Sequence, residues 1–356
     1  MNNIAILGYG TVGKGVRELV EKNPRFKLVA IFDRPEKKEE LGSLLITRPE
    51  DILDNLVIDT VVECLGGDSL AHEIIVKALS RHKNVISSNK ETISKHLKEY
   101  LELANDNHVS LQFEAAVGGG IPLLYPLSME TQFDEICEIK GILNGTSNFI
   151  LTKMQDEKMK KEKAIELAIE KGFAEKDPSA DLEGLDMVRK ACILGDILTG
   201  KEIHNDDIPT FGIANIDESI LNEIAKRKLT LKLLSTIEYR NGSLSIVIMP
   251  SALNHSNLLC QIKDENNAVL INGKYQEPLL FVGKGAGRNP TASAILQDLI
   301  RVSENITYHY PKLGDYLPLV NSFSGHYLAF EDKTVIELID PSIEVLRRYP
   351  FVCHIE

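Results

Sequence analysis

The chain has 356 residues, which is enough for two domains that each bury a core of their own. Its 52 acidic residues outnumber its 40 basic residues, and the resulting net charge of −12 argues against nucleic acid or an anionic membrane as the main partner. The longest apolar runs have the length of strands, so we expect none of them to span a bilayer.

The start of the chain and the cysteines favour a cytoplasmic protein. The first residues lack a basic leader and a small-residue cleavage site, and they predict a native first strand. The five cysteines are scattered and form no CxxC pair, which favours reduced thiols and indicates no zinc site. The nine histidines show no spacing typical of metal ligands.

A glycine-rich loop follows the first predicted strand, which runs from Asn3 to Leu7. The loop has the pattern GxGxxG, with a strand before it and an amphipathic helix after it. Its glycines permit a tight turn and the close approach of a pyrophosphate to the helix N-terminus. We therefore predict a dinucleotide site formed by Gly8, Gly10, Thr11, Val12 and Gly13.

The end of the second predicted strand bears on the choice of dinucleotide. Asp33 stands about twenty residues past the glycine loop, where an acidic residue commonly binds the adenosine ribose, and this favours NAD. Arg34, Lys37 and Lys38 follow it and can instead bind the 2′-phosphate of NADP. NAD and NADP both stay open.

Strands and helices continue to alternate up to about residue 130. This rhythm predicts a doubly wound parallel sheet, and ligands of such sheets bind beyond the carboxyl ends of the strands. Gly66 follows the strand at 60–65, and Asn89 and Lys90 follow the strand at 84–88. We therefore predict that Gly66 and Lys90 contact the ligand.

A run of three glycines and a proline follows the strand predicted at 109–115. One interpretation of this segment, which begins at Glu114, is a flexible linker between domains. The other is a structured bend whose exposed carbonyls, together with the Glu114 carboxylate, bind a hard cation.

From residue 131 the pattern changes to that of an α+β domain. Two hairpins with Asn-Gly turns are predicted, at 241–242 and at 272–273, and they indicate an antiparallel sheet. The domain organisation expected is 1–130 for the dinucleotide, 131–283 for substrate and dimerisation, and a segment 284–320 that returns to the first domain.

The stretch 172–190 concentrates the candidate catalytic residues. Asp181 stands near a predicted helix start, and that helix continues to Gly200, with Asp186 and Lys190 one turn apart on it. The helix is apolar nearly all round, so its charged groups must pair or serve a polar cavity. An ordinary structural i,i+4 pair is the simpler interpretation, and the remaining motifs of the chain outweigh it.

These segments resemble the homoserine dehydrogenase family over nearly the whole chain to about residue 305. The motifs that carry the resemblance occur in the family's order and are GYGTVG, Asn89-Lys90, EAAVGGGIP, GILNGTSNFIL, GFAEKDPSADLEGLDMVRK and GKGAGRNPTASAILQDL. The resemblance implies a Rossmann-type domain and the NAD(P)-dependent interconversion of L-homoserine and L-aspartate 4-semialdehyde, on the route to threonine and methionine.

The resemblance also implies roles for individual residues. Lys190 matches the proton donor, Glu175 and Asp186 match acids that bind the substrate, and Asp181 matches a further catalytic acid. We count Lys90 with both the catalytic and the cofactor-binding residues. Further cofactor contacts are implied at Gly10, Val12, Gly13, Gly172 and Gly287. A sodium site is implied at Glu114 and at the carbonyls of Val117, Gly119 and Ile121. Family members are usually homodimers through the antiparallel sheet.

Two other functions fit the sequence less well. A phosphorylating semialdehyde dehydrogenase would need an activated cysteine with a histidine base, and the cysteines here stand in apolar contexts. A non-catalytic redox sensor that binds NAD(P) would not need the acidic cluster around Lys190.

The last 36 residues, 321–356, are predicted to form a separate tail. Tyr327, Ala329 and the sequence VIELI predict one strand and a short helix, which is too little for a complete regulatory ACT module. The tail is interpreted as a remnant of such a module or as an extension that packs on the dimer.

Overall fold

The computed structural model describes residues 2–306, 310–320, 323–332 and 334–356. The predicted returning segment and the predicted tail also include residues outside these ranges, namely 307–309, 321, 322 and 333. The chain forms two compact units. The first contains 1–129, 200–202 and 286–315, and the second contains 130–199, 203–285 and 316–356.

Residues 2–130 alternate between strands and helices. The elements are β1 (Asn2–Leu7), α1 (Thr11–Glu21), β2 (Phe26–Phe32), α2 (Lys38–Leu41), β3 (Leu45–Ile46), α3 (Glu50–Leu53), β4 (Thr60–Glu63), α4 (Ser69–Ser80), β5 (Asn84–Ser87), α5 (Lys90–Asp106), β6 (Leu111–Gln112) and α6 (Leu124–Glu130). The strands form a parallel sheet in the order β3-β2-β1-β4-β5-β6. This is the strand order of Rossmann-type domains, and it confirms the predicted doubly wound sheet.

The remaining elements, from residue 131 to the end of the chain, lie mostly in the second unit. They are β7 (Glu138–Ile142), α7 (Gly145–Asp156), α8 (Lys161–Glu170), α9 (Ser179–Leu182), α10 (Leu185–Thr199), β8 (Lys201–Glu202), α11 (Glu218–Lys226), β9 (Leu229–Arg240), β10 (Ser243–Asn254), β11 (Asn266–Asn272), β12 (Leu279–Lys284), α12 (Arg288–Ser303), β13 (Gly314–Tyr316), β14 (His326–Glu331), β15 (Thr334–Ile339), α13 (Ile343–Leu346) and β16 (Phe351–Ile355). Of these, β8, α12 and most of β13 lie in the first unit. None of the helices in the described ranges combines the length and the apolar character that crossing a bilayer requires.

The second unit is built on a mostly antiparallel sheet in the order β12-β11-β7-β9-β10-β16-β14-β15. The long pair of β9 and β10 forms its centre, and the parallel pairing of β10 with β16 makes the sheet mixed. The predicted α+β architecture is confirmed. β8 and β13 form a separate two-stranded sheet.

Helix α12 belongs to the first unit, although most of the second unit precedes it in sequence. It packs against α1 so closely that a Cβ on Gly15 would lie 2.9 Å from the carbonyl oxygen of Arg288. Ala292 and Ile295 of α12 are buried in one core with Ile4 and Val16. The apolar stripe of α12 therefore covers the same sheet that carries the glycine loop.

The two predicted hairpins differ in how they close. Asn241 and Gly242 form a two-residue turn, with φ angles of 52° and 79°, as the Asn-Gly pair predicts. The second hairpin does not close at 272–273, because six residues, 273–278, separate β11 from β12. Backbone N–H groups of this longer loop donate to the buried Asp134 carboxylate, which holds the loop in place.

The expectation of a separate tail is wrong for its described residues. The sequence VIELI lies in strand β15 rather than in a helix, because it pairs antiparallel with β14. β14 pairs in turn with β16, and β16 pairs with β10. Tyr327, Ala329 and Val352 are buried in one cluster with Met249 of β10. The C-terminal strands thus complete the sheet of the second unit.

Candidate active site

Asp186 and Lys190 lie one turn apart near the start of α10, as their spacing predicts. The helix begins later than expected, because Gly184 separates α9 from α10 with a φ of +82°. A Cβ on Gly184 would also lie 3.1 Å from the Ile248 side chain. The single helix predicted from Asp181 to Gly200 is therefore wrong. Asp181 lies in α9, and the break lets α9 and α10 approach the site as separate elements.

Lys190 is a buried ammonium with two close acceptors. It is 7% exposed, and its Nζ donates to the Leu143 carbonyl oxygen at 2.6 Å and to Oδ2 of Asp186 at 2.7 Å. A buried charge requires such compensation, because an uncompensated one costs several kcal/mol. Leu143 directly follows β7, so the end of this strand and the first turns of α10 together set the position of the Lys190 ammonium.

Asn144 links the two carboxylates of the site. Its side-chain Nδ2 donates to Oδ1 of Asp181 at 2.7 Å and to Oδ2 of Asp186 at 3.1 Å. Its Oδ1 accepts the backbone N–H of Ser147 at 2.7 Å, which caps α7. This cap defines which end of the amide faces the acids, because only the NH₂ end can donate.

No role for Asn144 is evident from the sequence alone. The available signal was its position directly after a strand and before a helix, where an asparagine is a preferred N-cap. A cap residue whose second amide group faces acidic residues is recognisable only once the acids are located, and they lie 37 and 42 positions further along the chain.

The acidic groups of the site affect each other. Burial raises the pKa of Asp181, and the charge of Asp186 acts in the same direction. The hydrogen bond from Asn144 and the nearby Lys190 act against that rise. Two carboxyl groups, joined through Asn144, therefore lie close to one ammonium, and Asp186 contacts it directly.

Glu175 and Gly172, the other predicted site residues of the stretch 172–190, lie at the protein surface. Glu175 is exposed on the loop between α8 and α9, and among the described residues it makes no hydrogen bond or ion pair with Asp181, Asp186 or Lys190. Gly172 is also exposed and has a φ of +75°, two residues after the end of α8. The structure thus brings Asp181, Asp186 and Lys190 together and leaves Glu175 outside their hydrogen-bond network.

In the first unit the glycine loop has the shape that a pyrophosphate requires. A Cβ on Gly13 would lie 2.0 Å from the carbonyl oxygen of Gly8, so only glycine permits this turn. A Cβ on Gly10 would meet nothing within 4 Å, and the space beside this residue is therefore open. Thr11 and Val12 begin α1, whose first turn contains no acidic residue, so its N–H groups and dipole favour an anion.

Asp33 lies beside this loop. Its Oδ2 accepts the N–H of Tyr9 at 2.5 Å and its Oδ1 accepts the N–H of Arg34 at 2.7 Å. The Arg34 side chain is exposed, whereas Lys37 pairs with Glu40. The two residues that are predicted to contact the cofactor's ribose, Asp33 and Arg34, are therefore neighbours after β2.

Asn89 forms hydrogen bonds with the loops that follow β4 and β5. Its Nδ2 donates to the carbonyl of Gly67 at 2.7 Å, and its Oδ1 accepts the N–H of Glu91 at 3.1 Å at the start of α5. Lys90 is the first residue of α5, and Gly66 lies in the loop that Asn89 holds. Both predicted ligand contacts lie at the carboxyl edge of the sheet. Gly287 precedes the first turn of α12.

The Glu114 carboxylate serves the backbone rather than an open site. It is fully buried, and its Oε1 accepts the N–H groups of Leu123 and Leu124 at 2.5 and 2.7 Å. Its Oε2 accepts the N–H of Tyr125 at 3.0 Å and lies 3.8 Å from the Arg301 guanidinium. Three backbone N–H groups therefore bond to the carboxylate that is predicted to be a cation ligand. The other predicted ligands lie in the bend before α6, at Val117, Gly119 and Ile121.

Sequence models of known families match two long segments of the chain. The model described as homoserine dehydrogenase, NAD binding domain, matches residues 8–114, and the model described as homoserine dehydrogenase matches residues 122–300. The chain belongs to the homoserine dehydrogenase family. The match over 8–114 confirms the predicted nicotinamide dinucleotide domain.

Individual relatives agree with this family. The homoserine dehydrogenase of Bacillus subtilis is 33% identical over 317 residues, which cover 85% of this chain and 73% of the relative. That of Lactococcus lactis is 35% identical over 316 residues, which cover 84% and 74%.

Solved structures of homoserine dehydrogenases share the fold. The enzyme from Thiobacillus denitrificans has a TM-score of 0.84 at 30% identity, and the match covers 93% of this chain and 83% of that one. The S. aureus enzyme has a TM-score of 0.81 at 28% identity, with coverage of 100% and 98%. A hyperthermophilic archaeal homoserine dehydrogenase in complex with NADPH has a TM-score of 0.73 at 26% identity, with coverage of 85% and 98%. The function of this chain is that of a homoserine dehydrogenase, an NAD(P)-dependent oxidoreductase.

Proposed function

We propose that Lys190 is the proton donor in the interconversion of L-homoserine and L-aspartate 4-semialdehyde. Reduction of the aldehyde adds a hydride to carbon and a proton to oxygen, and the bound nicotinamide supplies the hydride. The single observation that carries the proposal is the buried ammonium of Lys190, held at 2.7 Å from Asp186 and 2.6 Å from the Leu143 carbonyl. An ammonium positioned in this way can polarise a carbonyl oxygen and then protonate it.

We propose that the carboxyl groups around Lys190 bind the substrate's α-ammonium. The cluster contains two acids, Asp181 and Asp186, for one lysine, so it offers a countercharge for one further cation. Asn144 supports this role because it donates to both acids and holds them side by side. Glu175 is proposed as an additional acid that contacts the substrate from the exposed loop.

The cofactor preference is proposed to be dual. Asp33 favours the ribose diol of NAD, and the exposed Arg34 beside it favours the 2′-phosphate of NADP. The remaining proposed contacts are the loop residues Gly8, Gly10, Thr11, Val12 and Gly13, together with Gly66, Lys90, Gly172 and Gly287. One of the similar solved structures contains NADPH, which supports the use of the phosphorylated form.

A monovalent cation such as sodium is proposed at the bend before α6, held by backbone carbonyls together with the Glu114 carboxylate. The carbonyls of Val117, Gly119 and Ile121 are the candidate ligands. Gly118 and Gly119 both have positive φ angles, 78° and 57°, which supports a sharply curved backbone there. The Glu114 carboxylate is the further candidate ligand, and it also accepts three backbone N–H groups.

A homodimer through the antiparallel sheet and a cytoplasmic location are proposed as well. The first rests on the family, and light scattering of the purified chain tests it. The cytoplasmic location is supported by five free cysteines.

Burial raises the pKa of Cys64 and that of Cys353, the latter to about 12, which argues against either one as an activated nucleophile.

Replacing Lys190 by Met tests the proton donor. We expect kcat for homoserine oxidation to fall by about 10² or more, since general acid–base catalysis contributes at least that factor. Cofactor affinity, measured by fluorescence titration, should stay within a few fold. A matched control is Lys232→Met, which removes another buried lysine of the second unit, one that donates to Asn148 rather than to the acids. A Lys190→Met enzyme that keeps more than about a tenth of kcat would exclude this assignment.

A further inference from the structure

Two histidines and a glutamate of the first unit converge between α4 and α5. His72 lies on α4, and His96 and Glu99 lie three residues apart on one face of α5. One ring nitrogen of each histidine and one carboxylate oxygen of Glu99 lie within 4.8 Å of one another. Nε2 of His72 is 3.9 Å from Oε2 of Glu99, and the two rings stack with their centroids 3.9 Å apart.

Each imidazole is held by a further polar group on one of its ring nitrogens. Nδ1 of His72 lies 2.9 Å from the hydroxyl of Tyr100, and Nε2 of His96 lies 3.2 Å from Oδ1 of Asp68. The Tyr100 hydroxyl is itself 2.6 Å from Oγ1 of Thr92. Histidines that bind metal through one nitrogen are usually oriented by such a partner on the other. The cluster therefore has both an inner set of donor atoms and an outer set of supporting groups.

The access of the cluster also suits a cation. The exposed fraction of the side chain is 31% for His72, 27% for His96 and 49% for Glu99, so an ion can reach them from solvent.

We propose that His72, His96 and Glu99 form a binding site for one late first-row divalent metal ion, such as Zn²⁺ or Co²⁺. Two imidazole nitrogens and one carboxylate oxygen are donors that these metals accept, whereas Mg²⁺ and Ca²⁺ prefer oxygen alone. The three donor atoms lie within 4.8 Å of one another, and binding would bring each of them to about 2 Å from the ion. The ion would join α4 to α5. The proposal does not depend on the role of Lys190.

The proposed site leaves no sign in the spacing of the histidines. The histidines show no ligand spacing along the chain, because His72 and His96 are 24 positions apart and stand on different helices. Their pairing arises when α4 and α5 pack side by side on the sheet.

Titration of the EDTA-treated, dialysed and reduced full chain tests the site. Zn²⁺ is titrated by calorimetry, and Co²⁺ is titrated by visible absorption. We expect one ion per chain, with a Co²⁺ spectrum of nitrogen and oxygen ligands. His72→Asn and His96→Gln should each weaken binding by about tenfold or more, because removal of an outer-shell partner alone costs about 10–100-fold. Tyr100→Phe removes such a partner and should fall within that range.

The control is His108→Asn, since His108 is an exposed histidine just beyond the same helix, at a φ of 55° that asparagine accepts. It should bind metal like the wild type. Glu99→Ala at the exposed end of the cluster provides a further variant should a histidine variant fail to fold, as judged by its melting in EDTA. No binding by the wild type, unchanged binding by the His72 and His96 variants, or thiolate charge-transfer absorption from Co²⁺ bound at a cysteine would each overturn the proposal.

Discussion

Replacing Glu63 by Gln is expected to remove a loss of stability that the wild type suffers as the pH rises. Glu63 ends β4 and is fully buried. Its Oε2 accepts the Ser87 hydroxyl at 2.5 Å, and its Oε1 accepts the N–H of Leu65 at 2.6 Å. Burial raises the pKa of Glu63 from 4.5 to about 7, although both hydrogen bonds act in the opposite direction.

The sign and size of the effect follow from this shift. Between pH 4.5 and about 7 the folded chain keeps a proton on Glu63 that the unfolded chain has released. The stabilisation is therefore complete below this window and is lost as the pH rises through it. The shift corresponds to about 3 kcal/mol in the free energy of unfolding. Glutamine resembles the protonated carboxyl, with an oxygen for Leu65 and an NH₂ for Ser87, and it does not titrate.

Urea unfolding of the wild type and the Glu63→Gln variant at about pH 5 and about pH 8 measures this difference. From about pH 5 to about pH 8, the free energy of unfolding of the variant should rise by about 2–3 kcal/mol relative to that of the wild type. Glu102→Gln is the control, because Glu102 is an exposed glutamate on α5 of the same unit. The difference in free energy of unfolding between the wild type and the Glu63→Gln variant could instead stay constant with pH. That result would refute the argument that Glu63 is buried as the protonated acid.

Three further predictions concern the active site and the regulation of the enzyme. Asn144→Ala should raise KM for homoserine and destabilise the chain by about 1 kcal/mol. The control Asp217→Ala, which removes the cap of α11, should leave KM unchanged, and equal KM values in the two variants would count against the role of Asn144. Asp33→Ser should lower the ratio of kcat/KM for NAD to that for NADP, and an unaltered ratio would exclude the ribose contact. Millimolar L-threonine should leave the rate unchanged, and saturable inhibition that is not competitive with homoserine would reveal an allosteric site.

The features that the sequence determined are local or periodic. The pattern GxGxxG requires glycine at Gly13 because of contacts within a single turn, so a linear motif was sufficient to predict it. Asp186 and Lys190 meet because α10 places residues four apart on one face. The alternation of strands and helices determined the sheet of the first unit, since parallel strands need such crossovers.

Tertiary structure decided the features that depend on distant partners. VIELI became a strand because β14 offered it an edge, and the local pattern alone did not decide between strand and helix. Asn144 reaches Asp181 across 37 positions, Glu63 reaches Ser87 across 24, and Glu114 turned out to serve the backbone of α6. Buried polar groups take whichever partners the packing supplies, because leaving them unpaired is costly. Their roles in this protein therefore follow from how its elements pack.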